Sequence, residues 1–197
     1  MIDQESNRNE RPIKLYRKSV VVFAGLPLTG KTTIAKKLAL FSNYILVDVD
    51  DIRHQETPVV QVLEPAEEKL AVEHTYTRMF NLARELLNDG KPVIIAGVFS
   101  RPDPYHNQLK TFVDEEKVPL KFFYLETPTV DEIERRIQIR LNSPDNLSNV
   151  TSYDRFTEAQ TRYKLIEGIK VIRIPSELSM RQKDVLVRRN LADLRIS

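Results

Sequence analysis

Gly25-Leu-Pro-Leu-Thr-Gly30-Lys31-Thr32 follows directly on the apolar run Val20-Val-Val-Phe-Ala24 and opens directly into Thr33-Ile-Ala-Lys-Lys-Leu-Ala-Leu40. Strand, glycine-bounded loop and helix in unbroken succession, with the spacing G-x-x-x-x-G-K-T, form the arrangement that binds the phosphates of a nucleoside triphosphate. Gly25 and Gly30 permit a tight loop whose backbone N–H groups turn inward at a helix N-terminus, an anion nest. Leu28, Thr29 and Thr33 contribute main-chain groups to that nest. Lys31 adds a mobile positive charge for the outer phosphates, and the Thr32 hydroxyl can ligate Mg²⁺. The expected ligand is ATP or GTP.

The totals bound the rest. A chain of 197 residues fits one domain with a small inserted lid. Hydrophobic content of 41% and charged content of 29% are ordinary for a globular protein. A net charge of +2 argues against a surface that coats nucleic acid, and the absence of cysteine removes disulfides and thiolate metal sites. No apolar stretch reaches membrane-spanning length, and the polar N-terminus, with Asp3, Glu5 and Glu10, is unlike a signal peptide. A cytoplasmic protein with no membrane partner is expected, with a flexible arm over 1–16 and a single domain over 17–197.

Hydrophobic periodicity divides that domain. Val20–Ala24, Tyr44–Val47, Pro92–Val98, Leu120–Leu125 and Lys170–Ile174 read as short apolar strands. Between them lie helical patterns. The helix after the glycine loop buries Ile34, Leu38 and Phe41; a long one over about 66–88 carries Val72, Tyr76, Met79, Ala83 and Leu86 on one stripe. Asp103-Pro104 starts a third, with Leu109, Phe112 and Val113 inward. Thr129-Val-Asp-Glu132 is a capping box opening a fourth, with Ile133, Ile137 and Leu141 inward. Thr151–Glu167 and a last helix from about Arg181, carrying Val185, Leu186 and Leu191, complete the pattern. Alternation of this kind predicts an α/β fold: five parallel strands in one sheet, with helices on both faces. Ligands then gather at the C-terminal ends of the strands, which directs attention to Gly25–Thr32, Asp48–Arg53, Val98–Arg101, Glu126 and Pro175.

Over roughly residues 19–180 the chain resembles the P-loop kinase group that contains adenylate, gluconate and polynucleotide 5′-hydroxyl kinases. The resemblance rests on GLPLTGKT, on Asp50-Asp51-Ile-Arg53 after the second strand, on VIIAGVF in the third, and on Arg136 and Arg140 in R-x-x-x-R after the fourth. It implies a three-layer P-loop NTPase fold and ATP-dependent transfer of a phosphoryl group to a hydroxyl. In the polynucleotide-kinase-like branch the first Asp of such a D-x-x-R resembles the general base, and its Arg contacts the acceptor's phosphate. The helix after strand four resembles a lid arm, here about 136–155, whose arginines reach the transferring phosphoryl and the nucleotide.

The residues support similar roles by themselves. Phosphoryl transfer asks for positioning and for positive charge around equatorial oxygens. A carboxylate at a strand end facing the loop is placed to orient a hydroxyl. If the second strand persists, Asp48 and Asp50 project together and Asp51 oppositely. Asp50 is then the expected base and Asp48 the Mg²⁺ partner beside Thr32, against the plainer reading of all three as helix caps. Arg136 and Arg140 share a helix face and can clamp phosphate, against the plainer reading of a solvated face paired with Glu132 and Glu134. Arg53 and Arg101 are candidates for the acceptor side. His54 and His106 read as rim surface residues, His74 as structural, and the basic C-terminal stretch with Lys183 and Asp184 as a solvated helix face.

Two departures from the group stand out. Ala96 and Gly97 occupy the end of strand three, where these kinases often carry an acid, and 142–150 contains no Lys or Arg. A GTPase-type switch is disfavoured, because no Asp has a Gly three residues later and no guanine-reading N/T-K-x-D occurs. A non-catalytic ATP-binding regulator stays open as the alternative. The acceptor, a small molecule or a nucleic-acid 5′ end, and the oligomeric state are not legible.

Overall fold

The computed structural model describes residues 18–56, 65–99, 105–142, 150 and 152–196. Five strands, β1 (Val20–Ala24), β2 (Ile45–Asp48), β3 (Val93–Ala96), β4 (Leu120–Leu125) and β5 (Val171–Ile174), form one parallel sheet in the order β2-β3-β1-β4-β5. β1 lies at its centre, with Val20 opposite Val93 on one side and Leu120 on the other. All five residues of β1 are buried, as a strand covered on both faces requires.

Strand alternation sorts the side chains into two cores. Val20, Val22, Val47, Val93, Ile95 and Phe122 face one way and meet α3 (Pro65–Asn88) and α4 (Asn107–Glu116) through Met79, Phe80, Leu87, Leu109 and Phe112. Val21, Phe23, Ile94, Ala96 and Phe123 face the other way and meet α1 (Lys31–Leu40) and α7 (Met180–Asn190) through Ile34, Leu38 and Val187. A third, smaller cluster lies above the sheet. There Leu26 and Leu28 of the glycine loop pack against Ile133 and Ile137 of α5 (Val130–Leu141) and Phe156 of α6 (Tyr153–Arg162). The expected three layers and five parallel strands are therefore present.

Several local expectations are corrected. β2 stops at Asp48 and passes at once into α2 (Val49–Glu56), so the strand does not persist to Asp50, and Asp50 and Arg53 lie on a helix. Phe41 lies just beyond α1, half-buried, with the Arg188 guanidinium 5.6 Å from its ring centre. Leu141 and Val185 are exposed, because they fall outside the inward arcs of α5 and α7. α6 ends at Arg162, not at Glu167. Lys183 and Asp184 are buried rather than solvated. Asp184 sits under Lys37 of α1 at 3.7 Å and accepts from Arg188 Nε at 2.9 Å, while Lys183 Nζ donates to the Ser176 carbonyl at 3.1 Å. Burial of charge is tolerated here because each group is paired. The N-terminal arm, Pro58, the helix start at Asp103-Pro104, Arg101 and 143–149 of the lid loop lie outside the described residues.

The junction of β1 with the loop carries the tightest backbone constraint. Gly25 has φ +143°, and a Cβ there would stand 2.6 Å from the Leu125 carbonyl oxygen on β4. Gly90, also at positive φ (+73°), has open space around its Cβ position. Gly25→Ala is therefore expected to lose about 1–3 kcal/mol of stability from backbone strain, with a further loss from the collision. Gly90→Ala is expected to lose only the strain. Thermal unfolding of the two variants side by side checks this.

Candidate functional site

The C-terminal ends of β1, β2 and β3 open onto the loop between Gly25 and Gly30, and side chains from α1, α2 and α5 close on it. Gly30, at φ +93°, is the N-cap of α1 and turns the chain from loop to helix. Within the loop the Leu26 carbonyl accepts from the Thr29 hydroxyl at 2.8 Å and from Lys31 Nζ at 2.7 Å. Lys31 thus reaches back across the loop. Burial pushes its ammonium down to about 8, against the pull of Asp50 and Asp48, and the Arg140 charge adds to the drop. The Thr33 side chain is exposed, so only its main chain faces the nest.

Asp48 is the last residue of β2 and is 4% exposed. Its Oδ1 accepts the Asp50 N–H at 2.9 Å, so it does cap α2. Its Oδ2 is buried with no hydrogen-bond partner. Burial, then the Asp50 charge, push the Asp48 carboxyl up, while the Asp50 N–H and the Thr32 hydroxyl act the other way. A buried carboxylate oxygen left unpaired beside a hydroxyl suits a hard divalent cation. Mg²⁺ typically takes one carboxylate, a hydroxyl, waters and phosphate oxygens in an octahedron. Thr32 and Asp48 therefore fit a Mg²⁺ site.

Asp50 projects from the first turn of α2, half-exposed, with Arg53 Nη2 3.4 Å from its Oδ1. The arginines of α5 divide. Arg140 is partly buried; burial lowers its pKa, Asp50 and Asp48 pull it back up, and Arg136 lowers it further. It shares the electrostatic environment of Lys31, Asp48 and Asp50. Arg136 instead donates through Nη1 to the Leu28 carbonyl at 2.7 Å and through Nε to Glu132 at 2.6 Å. Lys31, Asp48, Asp50 and Arg140 thus act on one another through their charges, with Thr32 beside Asp48, and Arg136 holds the loop from α5.

The end of β3 explains its missing acid. A Cβ on Gly97 would meet Val49 at 2.9 Å and Phe99 at 3.1 Å, so the position has no room for a carboxylate. Beyond it Phe99 takes φ 47° and is fully buried, its N–H donating to the Tyr76 hydroxyl at 3.2 Å. His106, expected at the rim, is 3% exposed, with Nε2 2.8 Å from the Phe99 carbonyl, and burial lowers its pKa. Tyr76 stacks on Tyr105 at 4.3 Å and meets Phe99 edge-on at 5.4 Å, completing an aromatic wall. Sequence reasoning did not anticipate this wall or the part played by Glu132. The four-residue spacing of Glu132 and Arg136 was the available signal for the latter.

A phosphate-binding loop at the end of a central parallel strand, a lysine within it and a carboxylate–threonine pair beside it define a kinase-like P-loop nucleotide-binding protein. The chain belongs to the AAA-domain family, which matches residues 20–165. A probable 6-phosphofructo-2-kinase of Schizosaccharomyces pombe is 23% identical over 155 residues, covering 72% of this chain but only 26% of that protein. Among solved structures, the Mycobacterium tuberculosis APS kinase in complex with AMPPNP and APS superposes with a TM-score of 0.63 at 17% identity, over 90% of this chain and 99% of the other. A gluconokinase of Sinorhizobium meliloti superposes at 0.58 and 13% identity, over 91% and 95% of the two chains. At these identities the structures establish the shared fold, that of the P-loop kinases.

The Lys31 ammonium gives the site a pH signature. It is charged below about 8 and neutral above, and a bound polyphosphate favours the charged form. ATP affinity is expected to hold steady from pH 6.5 to 7.5 and to fall above pH 8, approaching about tenfold per pH unit. Proton uptake on binding at pH 8.5, read by calorimetry in buffers of different ionisation enthalpy, checks this; Lys31→Met should remove it.

Proposed function

We propose that the protein is an ATP-dependent phosphotransferase that moves the γ-phosphoryl group of ATP to a hydroxyl of a small molecule or of a nucleic-acid 5′ end. The observation that carries this reading is the carboxylate of Asp50, standing at the head of α2 within the electrostatic reach of Lys31 and Arg140. In this reading the amides of Gly25, Leu28, Thr29, Gly30, Thr32 and Thr33, with Lys31, hold the phosphates. Asp50 takes the proton of the acceptor hydroxyl as its oxygen bonds to the γ-phosphorus, and the bond to the β–γ bridging oxygen breaks to release ADP. Arg140 offsets the charge on the transferring group, and Arg53 and Arg101 serve the acceptor. Thr32 and Asp48 would hold Mg²⁺, whose chemistry is to neutralise β- and γ-phosphate charge. The kinase relatives named above support a phosphotransferase; the hydroxyl acceptor and the individual roles follow from the resemblance to the P-loop kinase group and from carboxylate and cation chemistry suited to phosphoryl transfer.

A non-catalytic ATP-binding regulator is the second reading, and one observation favours it. The closed slot at Gly97 leaves no room at the end of β3 for an acid to join Asp48 beside the loop. The two readings part on turnover. Incubation with γ-labelled ATP and a panel of sugars, nucleosides and a 5′-hydroxyl oligonucleotide should yield ADP and one phosphorylated acceptor together. Asp50→Asn should lower that transfer by about 10²–10⁴-fold, the usual worth of a general base, with ATP affinity retained. Undiminished turnover in Asp50→Asn would remove the base assignment, and tight ATP binding with no transfer to any acceptor would favour the regulator.

A further inference from the structure

Leu28 is the one non-glycine residue of the loop that takes a left-handed conformation, at φ 67°, and its side chain is 3% exposed. A leucine there costs about 1–2 kcal/mol of backbone strain and persists only where the surroundings hold it. Two things do. Its side chain is packed against Ile133, Ile137 and Phe156, and its carbonyl receives Arg136 Nη1 at 2.7 Å. Arg136 is in turn fixed from behind by Glu132 Oε1, 2.6 Å from its Nε. Glu132 also accepts two bonds from Arg135, at 2.7 and 2.8 Å, on the solvent side.

A trans peptide points its C=O and the following N–H in opposite directions. The Arg136 contact draws the Leu28 carbonyl toward α5, which obliges the Thr29 N–H to point away from α5. Were this peptide to rotate, the loop would offer a carbonyl oxygen where a phosphate needs a donor. Arg136 spends its guanidinium on the loop itself and not on open solvent.

We infer that Glu132 and Arg136 are a positioning pair that sets nucleotide affinity by holding the Leu28–Thr29 peptide with its N–H toward the phosphates. Glu132 acts through Arg136, and neither needs to touch the nucleotide. The inference rests on the loop being a triphosphate site, and it does not depend on whether the protein transfers the phosphoryl group. The apolar contacts of Leu26 and Leu28 with α5 and α6 hold the same loop from the same side.

The test is a binding cycle by calorimetry with ATP and Mg²⁺ on the full chain. Glu132→Gln is expected to weaken ATP about tenfold, near the worth of one charge-assisted hydrogen bond. Arg136→Met should weaken it at least as much, and the double variant no more than Arg136→Met alone. Arg135→Met, which loses only the outer bonds to Glu132, should stay within about twofold of the parent. Amide exchange with ATP and Mg²⁺ at saturation should show Thr29 losing protection in Glu132→Gln while the β1 amides keep theirs, which separates a local effect from general loosening. Parent-like affinity in Glu132→Gln would overturn the inference. So would additive losses in the double variant, or an Arg136→Met that loses turnover with ATP affinity intact, since Arg136 would then act on the reacting phosphate. If the parent itself bound no ATP, the nucleotide-site reading would fail first, and that outcome is distinct from all of these.

Discussion

A short loop cannot keep its peptide groups turned inward by its own bonding, and the rest of this molecule is arranged to hold one loop in that state. The hydrogen bonds available within residues 25–30 converge on a single carbonyl, that of Leu26, which takes the Thr29 hydroxyl and the Lys31 ammonium. Everything else that shapes the loop comes from outside it. β4 approaches so closely that residue 25 has no space for a side chain. Leu26 and Leu28 are drawn out of the loop into an apolar cluster with α5 and α6, and Arg136 takes the Leu28 carbonyl. An anion nest is in this sense a tertiary product, set by where hydrophobic burial and one cation pull the opposite faces of its peptides.

The same logic governs the charges. The fold strips hydration from the Lys31 ammonium, which favours its neutral form, and buries Asp48, which favours its protonated form; Asp50 and Asp48 partly offset the first, while the Asp50 charge adds to the second. A polyphosphate with a divalent cation supplies what each lacks: negative charge for the lysine and a positive centre for the unpaired Asp48 oxygen. The site is electrostatically incomplete by construction, and such incompleteness is a mark of a binding centre. At the end of β3, the close packing of Gly97, Phe99, Tyr76 and Tyr105 replaces a strand-end acid with an aromatic wall. The carboxylates that pull on Lys31 are then Asp48 at the end of β2 and Asp50 at the head of α2.

Much of the architecture was legible because it is periodic. β1 and β4 read as apolar runs, α3 as a stripe at helical spacing, and the glycine–lysine–threonine loop by its own fixed intervals. The failures have physical causes. α2 is eight residues long, polar, and buries Ile52 alone, so it leaves no hydrophobic period to detect. Lys183 and Asp184 read as solvated because their partners, Ser176, Lys37 and Arg188, include a residue almost 150 positions away that only folding brings near. His106 is hidden by a wall whose members come from α3 and from the segment after β3. In the sequence Leu28 reads as a main-chain contributor alone; that the Leu26 and Leu28 side chains anchor the loop depends on α5 and α6 lying over it.

A crystal structure with a non-hydrolysable ATP analogue and Mg²⁺ tests the central claim most directly. The account predicts the β- and γ-phosphate oxygens bonded to the amides of residues 29–32 and to Lys31 Nζ. It also predicts the metal between Thr32 and Asp48, and Asp50 facing the γ-phosphorus. An analogue bound elsewhere, or a loop still closed on itself through Lys31 and the Leu26 carbonyl at saturating analogue, would contradict it.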